Sequence, residues 1–171
     1  MGAIADWVTV GSELSWQPWL FGAVLNAVLL LIVWRLPKAL LTPAGIVHAW
    51  FLGVIVWGCL GWPGYVVVGL YFIAGSAVTR VGLAEKEAAG IAEKRSGARG
   101  PENVWGSAAT ATVCALGVLG AIATNSPQWI PWLWLGYVAS FATKLSDTFA
   151  SEIGKARSEE RRVGKECRSR W

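Results

Sequence analysis

Three stretches of this 171-residue chain contain no Asp, Glu, Lys or Arg: residues 14–34, 39–79 and 103–143. A helix needs about 20 predominantly apolar residues to cross the hydrocarbon core of a bilayer. The first run matches that length and the other two are long enough to cross twice. Inside lipid every backbone polar group must find its partner within the protein, which leaves helices as the natural fold for such runs. The composition agrees, with 54% hydrophobic residues, 15% charged residues and a mean hydropathy of +0.47. A soluble domain carries about a quarter charged residues. The fold class is therefore all-α, a multi-pass transmembrane bundle, and no nucleic-acid partner is expected.

Five spans are predicted, at about Trp19–Leu36, Pro43–Leu60, Tyr65–Arg80, Val104–Thr124 and Trp129–Lys144, the last helix continuing past the bilayer. Pro37, Pro43, Pro63, Pro127 and Pro131 mark the joints, where a missing N–H costs least. Very short turns around "GCLGWPG" and "NSPQW" make spans two–three and four–five antiparallel hairpins. All 15 Lys and Arg fall between spans one and two, between three and four, or after five. By the positive-inside rule the N-terminus is outside and the C-terminus inside. Trp62, Trp129, Trp132 and Trp134 then gather near the outer turns as an interfacial belt. The first eighteen residues hold Asp6 and Glu13 without a Lys or Arg, the wrong flank for a cleavable signal peptide.

Shifting the chain by 64 residues superimposes one hairpin on the next without a gap. "FLGVI" (51–55) falls on "ALGVL" (115–119), Pro63 on Pro127, and "SAVTRVG" (76–82) on "SFATKLS" (140–146). Both hairpins end inside with Ser-x-x-Thr and a base. A parallel duplication is the natural reading, and such repeats commonly frame a site between their halves.

The polar residues that matter lie at the predicted inner edge. In "TKLSDTFASEIGK" (143–155), a helical wheel places Ser140, Lys144, Asp147, Thr148, Ser151 and Glu152 within about 140° of one another. Phe149, Ala150 and Ile153 take the other side. The plain reading is a solvated helix end with a Lys144–Asp147 or Lys144–Thr148 pairing. The functional reading is a Mg²⁺–phosphate site, with Asp147 and Glu152 on the metal, Lys144 on a phosphate, and hydroxyls such as that of Ser151 orienting it. Carboxylates at membrane depth are costly enough to favour function.

The inner loop 81–103 is the second constellation. Val81, Ala84, Ala88 and Ile91 recur at helical spacing and predict a short helix along the inner interface. It gives way at "SGARGPENVWG", a flexible Gly-rich turn whose Arg99, Glu102 and Asn103 could cradle an anion, with Arg95 and Lys155 as further cations. No Walker-type phosphate loop, zinc-protease motif or Ser/His arrangement occurs. His48 and Asn26 are read as packed, hydrogen-bonded helix–helix residues, and Ala111/Ala115 and Gly117/Ala121 as close-packing positions. Cys59 and Cys114 are read as small packing residues.

"VTRVGLAEKEAAGIAEKRSGARGPENVWGSAA" and "TKLSDTFASEIGKA" resemble the integral-membrane phytyl-phosphate kinase family over roughly residues 15–156. "SDTFASEIGK" is also similar to the Ser-Asp-x-x-Ala-x-x-x-Gly-Lys element of CTP-using membrane enzymes. Ser146, Asp147, Ala150, Gly154 and Lys155 fill its places, and the resemblance makes Asp147 the metal–phosphate residue. It implies a kinase that moves a phosphoryl group from CTP, with Mg²⁺, onto an isoprenyl monophosphate such as phytyl phosphate, for tocopherol and phylloquinone synthesis. The expected setting is a bacterial plasma or thylakoid membrane or a plastid envelope. Roles for Arg99, Asn103 and Glu152 rest on chemistry instead. After Ala156 the resemblance stops and "RSEERRVGKECRSRW" follows, which resembles translated vector or adapter sequence. Residues 1–156 are thus expected to be a membrane domain, part of a longer enzyme and inactive alone, and 157–171 a disordered or artefactual basic tail. Other classes compatible with the sequence are a small transporter or channel half, or a non-enzymatic membrane assembly protein.

Overall fold

The computed structural model describes residues 16–35, 40–82 and 99–166, with side chains described as far as Gly154. The described residues are helical almost throughout: α1 (Gln17–Trp34), α2 (Pro43–Thr79), α3 (Pro101–Ala123), a single 3₁₀ turn at Pro127–Trp129, and α4 (Ile130–Glu166). Each of these elements carries Pro in its first turn, where the ring's fixed φ suits the helix and the absent N–H had no partner to lose. Thr42 adds an N-cap to α2, its Oγ1 accepting from the Gly45 N–H at 3.0 Å.

The 37 residues of α2 contain one non-helical position, Gly61, with φ 63° and ψ −156°. A straight helix would hold Gly45 and Gly75 about 45 Å apart. Both instead lie against Arg99, Gly45 beside its carbonyl oxygen and Gly75 beside its guanidinium. The chain therefore doubles back at Gly61, and α2 is the expected hairpin of spans two and three. The rings of Trp57 and Tyr65, eight residues apart, meet at 5.4 Å across the fold. Only a reversal brings them there.

α1 runs antiparallel to the first limb of α2. Asn26 meets Gly53, Gly22 meets Trp57 and Trp19 meets Gly58. α3 and α4 form the second hairpin, with Gly117 against Leu133 and Gly136 against Cys114. Small residues let these backbones approach: Ala108, Ala111, Ala115 and Val118 make a buried stripe down α3. The expected packing roles of Ala111 and Ala115 hold, and Cys59 is buried in the same core. Trp62, Trp129 and Trp132 stand exposed at the outer turns, as an interfacial belt requires.

The end of the chain shows how far the last helix runs. α1, α2 and α3 are long and apolar enough to cross a membrane, but the charge-free start of α4 reaches only from Ile130 to Thr143, about 21 Å. This is the fifth span expected from sequence, its helix continuing past the bilayer, and Tyr137 and Phe141 are buried against its neighbours. The residues after Ala156, expected from sequence to be a disordered or artefactual basic tail, are helical over 157–166, where α4 continues to Glu166. A helix already nucleated propagates at one hydrogen bond per residue, and Glu, Arg and Lys are good helix formers. The helix predicted along the inner loop falls in 83–98, outside the described residues.

Candidate functional site

Arg99 organises the inner end of the bundle. Its N–H donates to the Leu40 carbonyl and its carbonyl accepts from the Thr42 N–H, both at 3.0 Å, so the segment before α3 is stitched to the segment before α2. This pairing turns the side chain inward. The guanidinium lies 5.5 Å from the centre of the Tyr71 ring and 6.0 Å from that of Phe72, a placement the negative faces of aromatic rings favour. Gly75, one turn beyond Tyr71, leaves it room: a Cβ there would stand 2.5 Å from the guanidinium. Arg99 is 9% exposed. It is therefore not the residue of an open flexible turn that the sequence suggested.

Polar pairs surround this seat. The Tyr71 hydroxyl donates to Ser107 Oγ, and Ser107 donates to the Asn103 carbonyl at 2.7 Å. Trp105 Nε1 donates to His48 Nδ1 at 2.9 Å, which holds His48 as a packed, hydrogen-bonded residue in keeping with its sequence reading. Asn26 likewise donates to the Gly22 carbonyl and accepts from the Tyr65 hydroxyl. Ser76 Oγ, next to Gly75, is buried without a hydrogen-bond partner among the described residues. Sequence reading singles out neither Tyr71 nor Ser107, and Ser76 only as part of the Ser-x-x-Thr that ends the first hairpin. An aromatic followed one turn later by Gly, as in Tyr71 and Gly75, was the one available signal.

The α4 face looks different. Lys144 Nζ pairs with Asp147 Oδ2 at 3.1 Å, and the two side chains are 42% and 68% exposed. Thr148 and Ser151 donate their hydroxyl protons to the carbonyls of Lys144 and Thr148. Their oxygens can still accept, but the protons expected to orient a phosphate are committed to the helix. Glu152 is 2% exposed and engaged. It stands five residues from Asp147, about 7.5 Å along the axis and 140° around it. The structure therefore does not bring Asp147 and Glu152 together on one ion. Burial of one acid and exposure of the other divides a face that the wheel had drawn as continuous.

Depth links the two regions. The second limb of α2 runs parallel to α4, Gly64 meeting Tyr137 and Tyr71 meeting Phe141, offsets of 73 and 70 residues. Gly75, and the Arg99 guanidinium against it, are thus level with the Lys144–Asp147 pair. Asn103 is exposed on the first turn of α3. Arg95 lies outside the described residues, and Lys155 sits on the backbone of α4 with its side chain outside them.

No group of three His, Cys, Asp or Glu able to hold a metal occurs among the described residues. A magnesium ion carried by a nucleotide is held by protein sites through one or two carboxylates plus the nucleotide's phosphates. The exposed carboxylate of Asp147 suits such a role.

Doubled-back apolar helices with their cationic and acidic groups at one end define an integral-membrane helical protein. Matched over residues 26–167, the chain belongs to the family described as integral membrane protein DUF92. It is 66% identical over 139 residues to the uncharacterized membrane protein sll0875 of Synechocystis, covering 81% of this chain and 52% of that one. It is 45% identical over 116 residues to Protein VTE6, chloroplastic, of Arabidopsis thaliana, covering 68% of this chain and 34% of that protein. A third relative, the uncharacterized membrane protein MJ0933 of Methanocaldococcus jannaschii, is 29% identical over 119 residues, 70% of this chain and 45% of that one. The chain spans about half the length, or less, of these relatives. No solved structure matches it. A cyanobacterial and a chloroplast relative fit the bacterial, thylakoid or plastid membrane expected from sequence.

Proposed function

We propose that the protein to which this chain corresponds is a CTP-dependent kinase that converts an isoprenyl monophosphate, such as phytyl phosphate, to the diphosphate. The observation that carries the reading is the shared level of Arg99 and the Lys144–Asp147 pair at the inner end of the bundle. The similarity of residues 15–156 to phytyl-phosphate kinases, and of "SDTFASEIGK" to CTP-using membrane enzymes, supports it. A phosphoryl transfer between a water-borne nucleotide and a membrane-borne acceptor requires both to meet at such a boundary.

In this reading a phosphate oxygen of the isoprenyl monophosphate attacks the γ-phosphorus of CTP. A new P–O–P bond forms, the bond from γ-phosphorus to the bridging oxygen breaks, and CDP leaves with that electron pair. The acceptor is already ionised, so no strong base is needed. Lys144 would neutralise a nucleotide phosphate, and Asp147 would exchange its ion pair with Lys144 for the magnesium ion that accompanies the nucleotide. Asp147 would hold the nucleotide's Mg²⁺, which would supply neutralisation of phosphate charge. Asn103, exposed at the start of α3, would donate to a phosphate oxygen, and Arg95 and Lys155 would add positive charge. Glu152, being buried, would support the arrangement from within the protein and not bind the same ion.

The test uses a full-length relative carrying the same motif, in membranes supplied with γ-labelled CTP and phytyl phosphate. Label should appear in a prenyl diphosphate, and only with Mg²⁺ present. Absence of transfer from any nucleoside triphosphate would end the reading.

A further inference from the structure

We propose that the inner half of the seam between α3 and α4 is the groove that receives the magnesium-bound triphosphate of the nucleotide, with Gly106, Thr110 and Ser140 lining it beside Asn103, Lys144 and Asp147. The inference rests on the kinase reading and deepens it, because it gives the phosphate chain a place and adds three residues to its site.

The register of the second hairpin fixes which residues face one another. A Cβ on Gly117 would stand 2.9 Å from the Leu133 side chain, and one on Gly136 would stand 2.9 Å from the Cys114 sulfur. Both contacts fit a single antiparallel register. Continued inward, it sets Thr110 opposite Ser140, Gly106 opposite Lys144, and Asn103 opposite Asp147. The directions around each helix agree. At about 100° per residue, Asn103, Gly106 and Thr110 lie within about 40° of Gly117 on α3. Ser140, Lys144 and Asp147 lie within about 40° of Leu133 on α4. Three rungs therefore face each other across the seam, over about 10 Å of its length.

The seam is open where these rungs occur. Its outer half is closed by glycine against side chain at Gly117 and Gly136. In its inner half Asn103, Gly106 and Thr110 are exposed, as are large parts of the Lys144 and Asp147 side chains. A Cβ on Gly106 would meet nothing within 4 Å among the described residues. Glycine weakens a helix interior relative to alanine, and what it leaves here is room. The wall behind it is fixed, because Trp105 is bonded to His48 and Ser107 to Tyr71, on the two limbs of α2. The lining suits a polyphosphate. Asp147 can leave Lys144 for the nucleotide's magnesium ion, which frees the ammonium for phosphate oxygens. The Asn103 amide and the Thr110 and Ser140 hydroxyls are further donors. The groove begins at the N-terminal end of α3, the positive end of its dipole. A phosphomonoester would occupy one rung, whereas a triphosphate can use all three.

The experiment titrates four probes separately into the full chain in neutral phosphatidylcholine nanodiscs: Mg–CTP, magnesium tripolyphosphate, cytidine and a prenyl monophosphate. Both polyphosphates should bind, and cytidine should bind far more weakly than either. Gly106→Leu puts a good helix former at an exposed position and fills the groove, so it should weaken both polyphosphates on the order of 100-fold. Gly120→Leu is the matched control, since that glycine also has open space where a Cβ would stand but lies near the outer end of α3. It should leave binding unchanged. Thr110→Val and Ser140→Ala should each weaken the polyphosphates by about threefold to tenfold. Wild-type affinity in Gly106→Leu, an equal loss in Gly120→Leu, or no binding of magnesium tripolyphosphate to the chain would each overturn the groove. Prenyl monophosphate weakened as much as Mg–CTP by Gly106→Leu would overturn the assignment to the nucleotide. If phosphoryl transfer is absent from the full-length relative while this binding pattern holds, the kinase reading fails and the groove stands. Transfer that proceeds unchanged when the same glycine of the relative is made leucine sinks the groove and spares the kinase.

Discussion

Gly61 and Asn125 stand 64 positions apart, and both adopt positive φ, 63° and 51°. Each is the reversal point of a helical hairpin, and each precedes a proline by two residues, Pro63 and Pro127. The 64-residue shift that aligned the two hairpins in sequence thus reappears in the backbone. The copies are not packed in that register, however. The second limb of α2 lies beside α4 at offsets of 70 to 73 residues, so α4 is displaced along its axis relative to its counterpart. This stagger is what brings Lys144 and Asp147 level with Arg99.

The two turning residues should respond differently to substitution. Gly61 combines its φ with ψ −156°, a region essentially reserved for glycine. Gly61→Ala should cost about 1–3 kcal/mol of stability, whereas Asn125→Gly should be close to neutral because Asn already tolerates positive φ. Unfolding of the two variants in mixed micelles with increasing SDS measures the difference.

The topology makes a sharp prediction. A reporter fused after Gly97 should face the cytoplasm or stroma, and one fused at Ser126 should face the opposite side. A reporter at Trp62 should share the side of Ser126, since the chain reverses at Gly61. If Trp62 and Gly97 report the same side, the α2 hairpin does not cross the membrane twice.

The contact of Gly53 with Asn26 can be tested by coupling. A Cβ at Gly53 would overlap the Asn26 side-chain amide, whose oxygen accepts from Tyr65. Gly53→Ala should destabilise by about 1–3 kcal/mol, as overpacking does. Asn26→Ala should lose about 0.6 kcal/mol per hydrogen bond, the average within membranes. The double variant should be more stable than the sum of the two predicts, because the clash disappears with Asn26. Strict additivity would mean that the two residues do not meet.

For the proposed chemistry, Asp147→Asn in a full-length relative keeps size and polarity and removes the charge. Insertion and folding should be unaffected, since the side chain is exposed. Phosphoryl transfer to phytyl phosphate should fall on the order of 10³-fold or more. Glu152→Gln should behave differently, because that carboxylate is buried and engaged. It should lower stability together with activity, measurable as a reduced unfolding midpoint. Near-normal turnover in Asp147→Asn would remove that residue from the site.

What the sequence by itself determined was local. Charge-free runs set which segments enter the bilayer, the placement of Lys and Arg set their direction, and Gly or Asn before Pro set where the hairpins turn. Each depends on residues close together in the chain, so each is legible without a fold. The tertiary structure decided the site. Arg99 reads as a solvent-facing loop residue until residues 40–42 pair with its backbone and turn it onto Tyr71, Phe72 and Gly75. Asp147 and Glu152 read as partners until packing buries one and leaves the other in the open. No periodicity encodes these outcomes, because burial of a charge depends on which distant helix covers it, and at what stagger.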